Sequence, residues 1–273
     1  MAVVADLHVH TTNSDGSLTL EALPAAARRA SLEAVAVTDH DRFHPALDAP
    51  VSTRDGLTVI HGIELRVEAG DQRVDLLGYG LDPTPALRDE VERLQSDRVE
   101  RGTAIVECVE ERLGVDLGVE PTEGFGRPHV ARAIADHPQT PYDVQGAFDD
   151  LIGDGRPCYV ARDVPSFERG RELLAESCAF VGLAHPLRYE DPAAALELTR
   201  HLDAVERWYP YGRQDEDSPD DVAAVDQTAV DRAIAEYDLL ATGGSDAHDD
   251  HLGRAGVDGE AYESIRARLP VPG

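Results

Sequence analysis

Short apolar runs recur along the chain and alternate with stretches that have helical spacing. Seven runs are rich in aliphatic residues and bounded by turns, as is typical of short strands; they cover residues 2–9, 34–38, 57–60, 73–79, 179–184, 203–208 and 237–242. Residues 19–31 place apolar side chains at helical intervals, with Thr19 as an expected N-cap. Strand, helix and strand within roughly 30 residues form a βαβ unit. The pattern therefore predicts an α/β fold with a parallel sheet.

A helical, charge-rich block interrupts this rhythm from residue 85 to residue 171. It contains one long amphipathic stretch and two shorter ones, at residues 85–113, 128–136 and 143–152. Proline and glycine residues at 121–126 break the helical pattern between the first two stretches. We therefore expect a barrel domain formed by residues 1–84 and 172–273, with residues 85–171 inserted as a helical subdomain.

The charge of the chain is strongly acidic. Its 273 residues include 53 Asp and Glu but only 25 basic residues, which gives a net charge of -28. Every basic residue is Arg. Such a composition resembles that of proteins from salt-loving organisms, because repulsion of this size is tolerated when salt screens it. The acidic segment from Gln214 to Asp221 is expected to form a solvated loop.

This charge also limits the partners that the chain can bind. An acidic surface repels a phosphate polymer, so stable binding of duplex nucleic acid is not expected. This repulsion does not exclude a small phosphorylated substrate that is held by metal ions. No run of 18 apolar residues and no secretory leader is evident, so we expect a soluble cytoplasmic protein that does not bind membranes.

The three cysteines carry no recognisable motif. Cys108, Cys158 and Cys178 are far apart and form no C-x-x-C pair. Neither a disulfide framework nor a cysteine zinc site is therefore indicated. We expect all three to be small buried apolar residues.

Potential metal ligands follow almost every predicted strand. In Asp6-Leu-His8-Val-His10, strand alternation points both imidazoles to one side, which suits a metal ion, although a solvated strand edge would have the same pattern. Later runs end in Thr38-Asp-His-Asp41, Gly62-Ile-Glu64, Ala184-His-Pro186 and Gly243-Gly-Ser-Asp-Ala-His248. The carboxyl ends of parallel barrel strands form the active-site face. Imidazoles and carboxylates together suit Zn(II), Mn(II) or Fe(II).

These motifs, together with Gly126-Arg-Pro-His129, resemble the motif series of the PHP (polymerase and histidinol phosphatase) family. The resemblance covers nearly the whole chain. The helical block with its Gly126-Arg-Pro-His129 motif and the following Pro157-Cys-Tyr-Val160 stretch are most similar to the TrpH-like subgroup of metal-dependent phosphoesterases. The resemblance implies a distorted seven-stranded (βα) TIM-like barrel that holds two to three divalent metal ions.

The resemblance also implies a ligand set for each ion. The first ion would be held by His8, His10, Glu64 and Asp246. Glu64 would bridge to a second ion, completed by His129 and His185. Asp15, His40 and His248 would hold a third ion. Asp75 stands where many relatives have a histidine, and whether it coordinates a metal or faces water is left open.

The same resemblance implies hydrolysis of a phosphate ester by a metal-activated hydroxide. His185 or Asp246 would protonate the leaving oxygen. In a chain without Lys, the substrate phosphate must be bound by Arg, and Arg127 is the first expected ligand, followed by Arg162. Arg98 and Arg101 are further candidates, although pairing with nearby Glu residues on a helix face is the more expected role for these two.

Three functional readings remain open from the sequence. The first is a phosphatase or phosphodiesterase acting on a nucleotide such as a 3',5'-bisphosphonucleotide, or on a short 5'-phosphorylated oligonucleotide. The second is a histidinol phosphate phosphatase with the same metals. The third is a non-catalytic metal-binding module, which the complete ligand set disfavours.

Overall fold

The computed structural model describes residues 2–211 and 227–271. The acidic loop expected from Gln214 to Asp221 lies outside these residues. The chain divides into two compact units, Met1–Arg88 with Pro165–Gly273, and Asp89–Val164. We call them the barrel unit and the insertion unit. The predicted domain boundaries, at residues 84/85 and 171/172, stay a prediction.

One sheet forms the barrel unit. Its strands are β1 (Ala5–Val9), β2 (Ala34–Val37), β3 (Val51–Arg54), β4 (Leu57–Ala69), β5 (Gln72–Tyr79), β6 (Phe180–Leu183), β7 (Ala204–Trp208) and β8 (Leu240–Gly243). Seven of them follow the order β1-β2-β4-β5-β6-β7-β8, and β3 pairs with β4 outside this path. The ring nearly closes, because the His10 amide donates to the Ala247 carbonyl just beyond β8, at 2.9 Å. The predicted α/β barrel of seven strands is thereby confirmed.

The barrel departs from a uniform parallel arrangement at β4 and β5. The sequence predicts a strand over residues 57–60, but β4 continues to Ala69 and forms an antiparallel hairpin with β5. Apolar and charged residues alternate along the second half of β4, which suits a strand with one face towards water. Gly70, at φ 71°, forms the turn. As a result Glu64 lies within a strand, whereas the motif suggested a strand end.

Helices cover the barrel and form most of the insertion unit. They are α1 (Leu23–Arg29), α2 (Pro85–Leu113), α3 (Arg127–Asp136), α4 (Val144–Ala147), α5 (Phe167–Ala175), α6 (Pro192–Glu197), α7 (Thr228–Tyr237) and α8 (Gly259–Arg266). The helix α1 begins later than predicted, and Thr19 accepts from the Ala22 amide in the turn before it. At the start of α5, Ser166 caps the helix by accepting from the Arg169 amide.

Close packing joins α5 to the sheet. A Cβ atom on Gly170 would lie 2.4 Å from a methyl carbon of Val67, so only glycine lets the helix approach the hairpin. Leu173 and Leu174 are fully buried on the same helix. Within the described part of the chain, every helix is too short or too polar to cross a membrane.

The insertion unit has an apolar core of its own. α2 has the bounds that the sequence predicts, and Val109 on it is buried together with Val130 and Ile134 of α3. The predicted helix over 143–152 forms as α4 followed by a π-helical turn, Phe148–Ile152. Burial of this cluster stabilises the unit through the hydrophobic effect.

The expectation that the cysteines form no disulfide is wrong. Cys108, on α2, is bonded to Cys158, with their Cα atoms 5.6 Å apart. A separation of 50 residues hides this pair in the sequence, and the folding of the insertion unit brings the two together. Cys178 is a free cysteine, and burial raises the pKa of its thiol.

We predict that reduction of this disulfide destabilises the protein. Closing a loop of this length removes conformational entropy from the unfolded chain, so its loss costs about 4 kcal/mol in the chain-entropy account. Urea unfolding with and without reductant measures the effect. The double variant Cys108→Ser, Cys158→Ser is the control, since reductant leaves its midpoint unchanged. An unchanged midpoint for the wild-type chain would contradict the prediction.

Candidate metal centre

The centre begins with two histidines, one in β1 and one directly after it. His8 and His10 are fully buried, and their ring centroids lie 5.1 Å apart, as expected for side chains on one side of a strand. Nε2 of His8 lies 3.6 Å from Oδ1 of Asp246, and Nε2 of His10 lies 3.0 Å from the same oxygen. The solvated strand edge that the sequence left open is therefore not observed.

Four groups of side chains place potential ligand atoms within 4.8 Å of one another. Three of them are completely buried and share members, and we call them the inner groups. They are His8 with His10 and Glu64, His8 with His185 and Asp246, and Glu64 with Asp75 and His185. The fourth, which we call the outer group, is more exposed and consists of His10, Asp15, His40 and His248.

Glu64 lies at the centre of these groups. Its carboxylate is 1% exposed and lies within reach of four imidazoles. The distances are 3.4 Å to His8, 3.5 Å to His10, 2.6 Å to His40 and 3.1 Å to His185. These imidazoles lower the pKa of Glu64 well below its usual value, although burial alone would raise it. The carboxylate is therefore ionised and available to more than one ligand group.

Several buried atoms in the inner groups lack hydrogen-bond partners among the described residues. They include Nε2 of His8, Nε2 of His10 and Oδ1 of Asp246. The last two lie close together but without the alignment of a hydrogen bond. Buried polar atoms without partners are costly, and a cation between them would satisfy nitrogen and oxygen donors together. The donor set fits a divalent transition metal.

In the outer group, the carboxylate of Asp15 lies between two imidazoles. Oδ1 of Asp15 lies 3.4 Å from Nε2 of His248, and Oδ2 lies 3.8 Å from Nε2 of His40. Burial alone would raise the pKa of Asp15, but the contact with His248 and the charge of His40 together lower it. The pKa of His40 rises to about 9, because the charge of Glu64 outweighs the effect of burial.

Glu206 is a buried carboxylate that the sequence reasoning missed. It lies in β7, fully buried, and accepts from Nδ1 of His8 at 3.2 Å and from the amide of His185 at 2.7 Å. The first contact places the proton on Nδ1 and leaves Nε2 of His8 free to bind a metal. The only sequence signal was an acidic residue within an otherwise apolar run.

Asp39 orders the loop that carries Asp15. Its carboxylate accepts from the Thr11 amide at 2.7 Å, the Asn13 side chain at 3.0 Å and the Ser14 hydroxyl at 2.8 Å. These residues connect β1 to Asp15. The acidic residue of the Thr38-Asp-His-Asp41 motif therefore positions a loop, while the histidine after it belongs to the outer group.

Asp6 orders the segment that carries Asp246 in the same way. It accepts from the amide and hydroxyl of Ser245, at 2.9 and 2.6 Å, and from the Gly253 amide at 2.8 Å. Asp246, next to Ser245, has a positive φ of 52°. A non-glycine residue is held in this conformation only by its surroundings, and such strain concentrates at functional sites.

The side chain of Asp75 is buried and belongs to an inner group. Its Oδ2 is 3.7 Å from Nε2 of His185, and the residue is 1% exposed. Arg66, its register partner on β4, donates to both carboxylate oxygens at 2.7 and 2.6 Å. The position facing water, which the sequence left open, is therefore excluded.

Arg188 and Tyr209 flank Asp246. Nη1 of Arg188 donates to Oδ2 of Asp246 at 3.1 Å and to the Tyr209 hydroxyl at 2.7 Å. The Tyr209 hydroxyl donates to the same Oδ2 at 2.8 Å. Both contacts use one carboxylate oxygen, so they orient the group while Oδ1 points to the imidazoles. Sequence reasoning did not single out Arg188, which follows His185 by three residues.

The remaining expected site residues lie in the insertion unit. His129 is in the first turn of α3, where its Nδ1 accepts from the Gly126 amide at 3.1 Å. It belongs to none of the four groups, and its role as a metal ligand stays a prediction. Nη1 of Arg127 donates to Asp154 at 2.7 Å. For Arg127 and Arg162, phosphate binding likewise stays a prediction.

The expectation that Arg101 pairs with a Glu on a helix face is wrong. Arg101 is 6% exposed, and its Nε donates to the Val160 carbonyl at 2.7 Å. No carboxylate of the described residues lies within ion-pair distance of it. The helical periodicity places this side of α2 against the rest of the insertion unit, away from water.

A nearly closed barrel that holds buried, overlapping His and carboxylate groups defines an α/β barrel with a candidate metal centre. The family model of the PHP domain matches residues 6–123. The chain is 30% identical to a 3',5'-nucleoside bisphosphate phosphatase of Chromobacterium violaceum, over 68% of this chain and 67% of the relative. It is 30% identical to the 5'-3' exoribonuclease Rnm of Salmonella typhimurium, over 94% and 92%.

The solved structures agree on the fold. A proposed metal-dependent phosphoesterase from Bifidobacterium adolescentis superposes with a TM-score of 0.77 at 24% identity, over 99% of this chain and 98% of the other. The chain belongs to the PHP domain family. The predicted family and the predicted class, a phosphoric ester hydrolase, are thereby confirmed.

We predict that Glu206→Gln weakens metal binding. The amide no longer accepts strongly from Nδ1 of His8, so the imidazole loses its fixed tautomer, and affinity falls roughly tenfold to a hundredfold. Titration of the metal-free protein with Mn(II) or Zn(II) measures the change. Glu176→Gln, at an exposed position, is the matched control. Equal affinities for the wild-type protein and Glu206→Gln would contradict this role.

Proposed function

We propose that the inner and outer groups hold two to three divalent ions, Zn, Mn or Fe. His8, His10, Glu64 and Asp246 would hold the first ion, and Glu64 would bridge to a second ion that His185 also binds. Asp15, His40 and His248 would hold the third. The observation that carries this proposal is the single carboxylate of Glu64, ionised and in reach of four imidazoles.

Each neighbouring side chain has a part in the proposed reaction. Bound divalent ions supply an activated water and neutralise charge on the phosphoryl oxygens. Of the two expected proton donors, His185 fits the leaving oxygen better. Burial would raise the pKa of Asp246, but His8 and His10 lower it well below its usual value, so its carboxylate is ionised and accepts hydrogen bonds. Arg188 and Tyr209 keep the Asp246 carboxylate in place, as their hydrogen bonds to its Oδ2 indicate. Arg127 and Arg162 bind phosphate oxygens through their planar guanidinium groups.

The substrate we propose is a nucleotide, either a 3',5'-bisphosphonucleotide or a short 5'-phosphorylated oligonucleotide. Relatives of this chain carry the names of a nucleoside bisphosphate phosphatase and of an exoribonuclease. The net charge of -28 favours a short substrate, because a long polyanion would be repelled over most of its length. The chain is accordingly not expected to bind duplex nucleic acid stably.

We predict phosphate release that depends on the divalent ion and on the inner groups. Metal-loaded protein at high salt should release phosphate from adenosine 3',5'-bisphosphate or from a short 5'-phosphorylated RNA faster than from histidinol phosphate. His8→Ala should abolish this turnover and remove about one equivalent of metal per chain. His251→Ala is the matched control, since His251 is exposed and lies outside all four groups.

Three outcomes would contradict this proposal. Faster turnover of histidinol phosphate would replace the nucleotide substrate. Absence of turnover on every phosphoester, with metal bound, would indicate a non-catalytic metal-binding module. Unchanged metal content and turnover in His8→Ala would remove the proposed site.

Asp75 and His129 are competing candidates for the remaining ligand of the second ion. Asp75 shares an inner group with Glu64 and His185, whereas the family resemblance indicates His129. We predict that Asp75→Ala lowers metal content by about one equivalent and that His129→Ala leaves it unchanged. Elemental analysis of both purified variants measures this. Loss of metal in His129→Ala alone would reverse the assignment.

A further inference from the structure

Four arginines of the insertion unit lie on segments that contact one another, and the charges of three of them act on the fourth, Arg101. We call them the arginine cluster: Arg98, Arg101, Arg127 and Arg162. Two come from α2, where a spacing of three residues places Arg98 and Arg101 on the same side of the helix. The other two come from segments that contact this side.

Backbone carbonyls connect the helix to these segments. Nη1 of Arg98 donates to the Phe125 carbonyl at 3.4 Å, two residues before Arg127. Nε of Arg101 donates to the Val160 carbonyl at 2.7 Å, two residues before Arg162. The cluster is therefore a consequence of how the insertion unit folds.

Aromatic rings border the cluster. The guanidinium of Arg127 lies 5.5 Å from the ring centroid of Tyr159 and 5.9 Å from that of Phe148. Its ion-pair partner Asp154 is largely exposed to water, with 77% of its side chain accessible. A charge pair at the surface contributes little, so this aspartate only weakly offsets the cluster.

Arg101 is the buried member of the cluster. It is 6% exposed, and its one hydrogen bond within the described residues goes to a neutral carbonyl. Burial lowers its pKa to about 10, and the charges of Arg162, Arg127 and Arg98 add to this effect. A buried cation among like charges destabilises the fold unless an anion compensates it.

The position of Arg101 is unusual for a chain with so many carboxylates. Other arginines take carboxylate partners: Arg93 on the same helix pairs with Glu90 at 2.7 Å, and Arg66 pairs with Asp75 at 2.6 Å. With more than twice as many acidic as basic residues, a carboxylate partner for Arg101 would be easily supplied. Its position is thus suited to an anion from outside the protein.

We propose that the arginine cluster is a phosphate-binding site, with Arg101 as its buried base. The planar guanidinium forms paired hydrogen bonds with phosphate oxygens, so four such groups suit a phosphate carried by a nucleotide or free in solution. The proposal extends the role proposed above for Arg127 and Arg162 and rests on it for the nucleotide source. It requires neither a bound metal nor turnover.

Calorimetric titration of the metal-free protein tests this site. The probes are inorganic phosphate, adenosine 3',5'-bisphosphate and adenosine, in potassium chloride of fixed concentration. Arg101→Met keeps the length of the side chain and removes its charge, and it should weaken binding of both phosphorylated probes at least about tenfold. Arg93→Met, the same substitution on the same helix, should bind as the wild type does.

The three probes separate the sources of the phosphate. Tighter binding of adenosine 3',5'-bisphosphate than of inorganic phosphate supports a nucleotide, and equal binding supports free phosphate. Binding of adenosine alone, as tight as that of its bisphosphate, would overturn the proposal. So would wild-type affinity in Arg101→Met, or an equal loss of affinity in Arg93→Met.

A stability measurement separates binding from a purely structural role. Removal of a buried like charge should leave the urea midpoint of Arg101→Met unchanged or raised, whereas a structural arginine would lower it. If Arg101→Met does not fold, Arg162→Gln, at a half-buried position, takes its place in the titration. If the metal-free protein binds phosphate but the metal-loaded enzyme shows no turnover, the proposed function is contradicted and the phosphate-binding site is not.

Discussion

The buried carboxylate of Glu64 is the constraint on which the centre depends. An ionised group at this depth is strongly disfavoured unless positive charge or hydrogen-bond donors surround it. Here the surroundings are four imidazoles from three parts of the barrel unit: the segment of His8 and His10, the segment of His40 and the segment of His185. The strands must therefore converge around one side chain, which connects the register of the sheet to the chemistry of the site.

The sequence predicted much of this convergence, because ligand motifs at strand ends are local features. The strand of His8, the helix over 85–113 and the strand of residues 73–79 lie where their apolar spacing places them. The confirmed α/β barrel follows from this rhythm. The extension of β4 to Ala69 was not predicted, since strand pairing decides how far an alternating segment continues.

Contacts between residues far apart in the sequence were not predicted, because local spacing does not show them. Glu206 lies 198 positions from His8, and Cys108 lies 50 positions from Cys158, so no local spacing connects either pair. Arg101 was expected on a solvated helix face, but helical periodicity alone does not show which charged face is covered. Tertiary packing determines these three features.

The carboxylates of Asp6 and Asp39 give the centre a further property. Both accept from backbone amides of the segments that carry Asp246 and Asp15, so hydrogen bonds within the protein already shape these segments. Such preorganisation means that an ion enters a formed cradle and leaves it without unfolding the chain. Ions can then be exchanged in the folded state, and the supply of each metal in the surroundings helps to decide which one the protein carries.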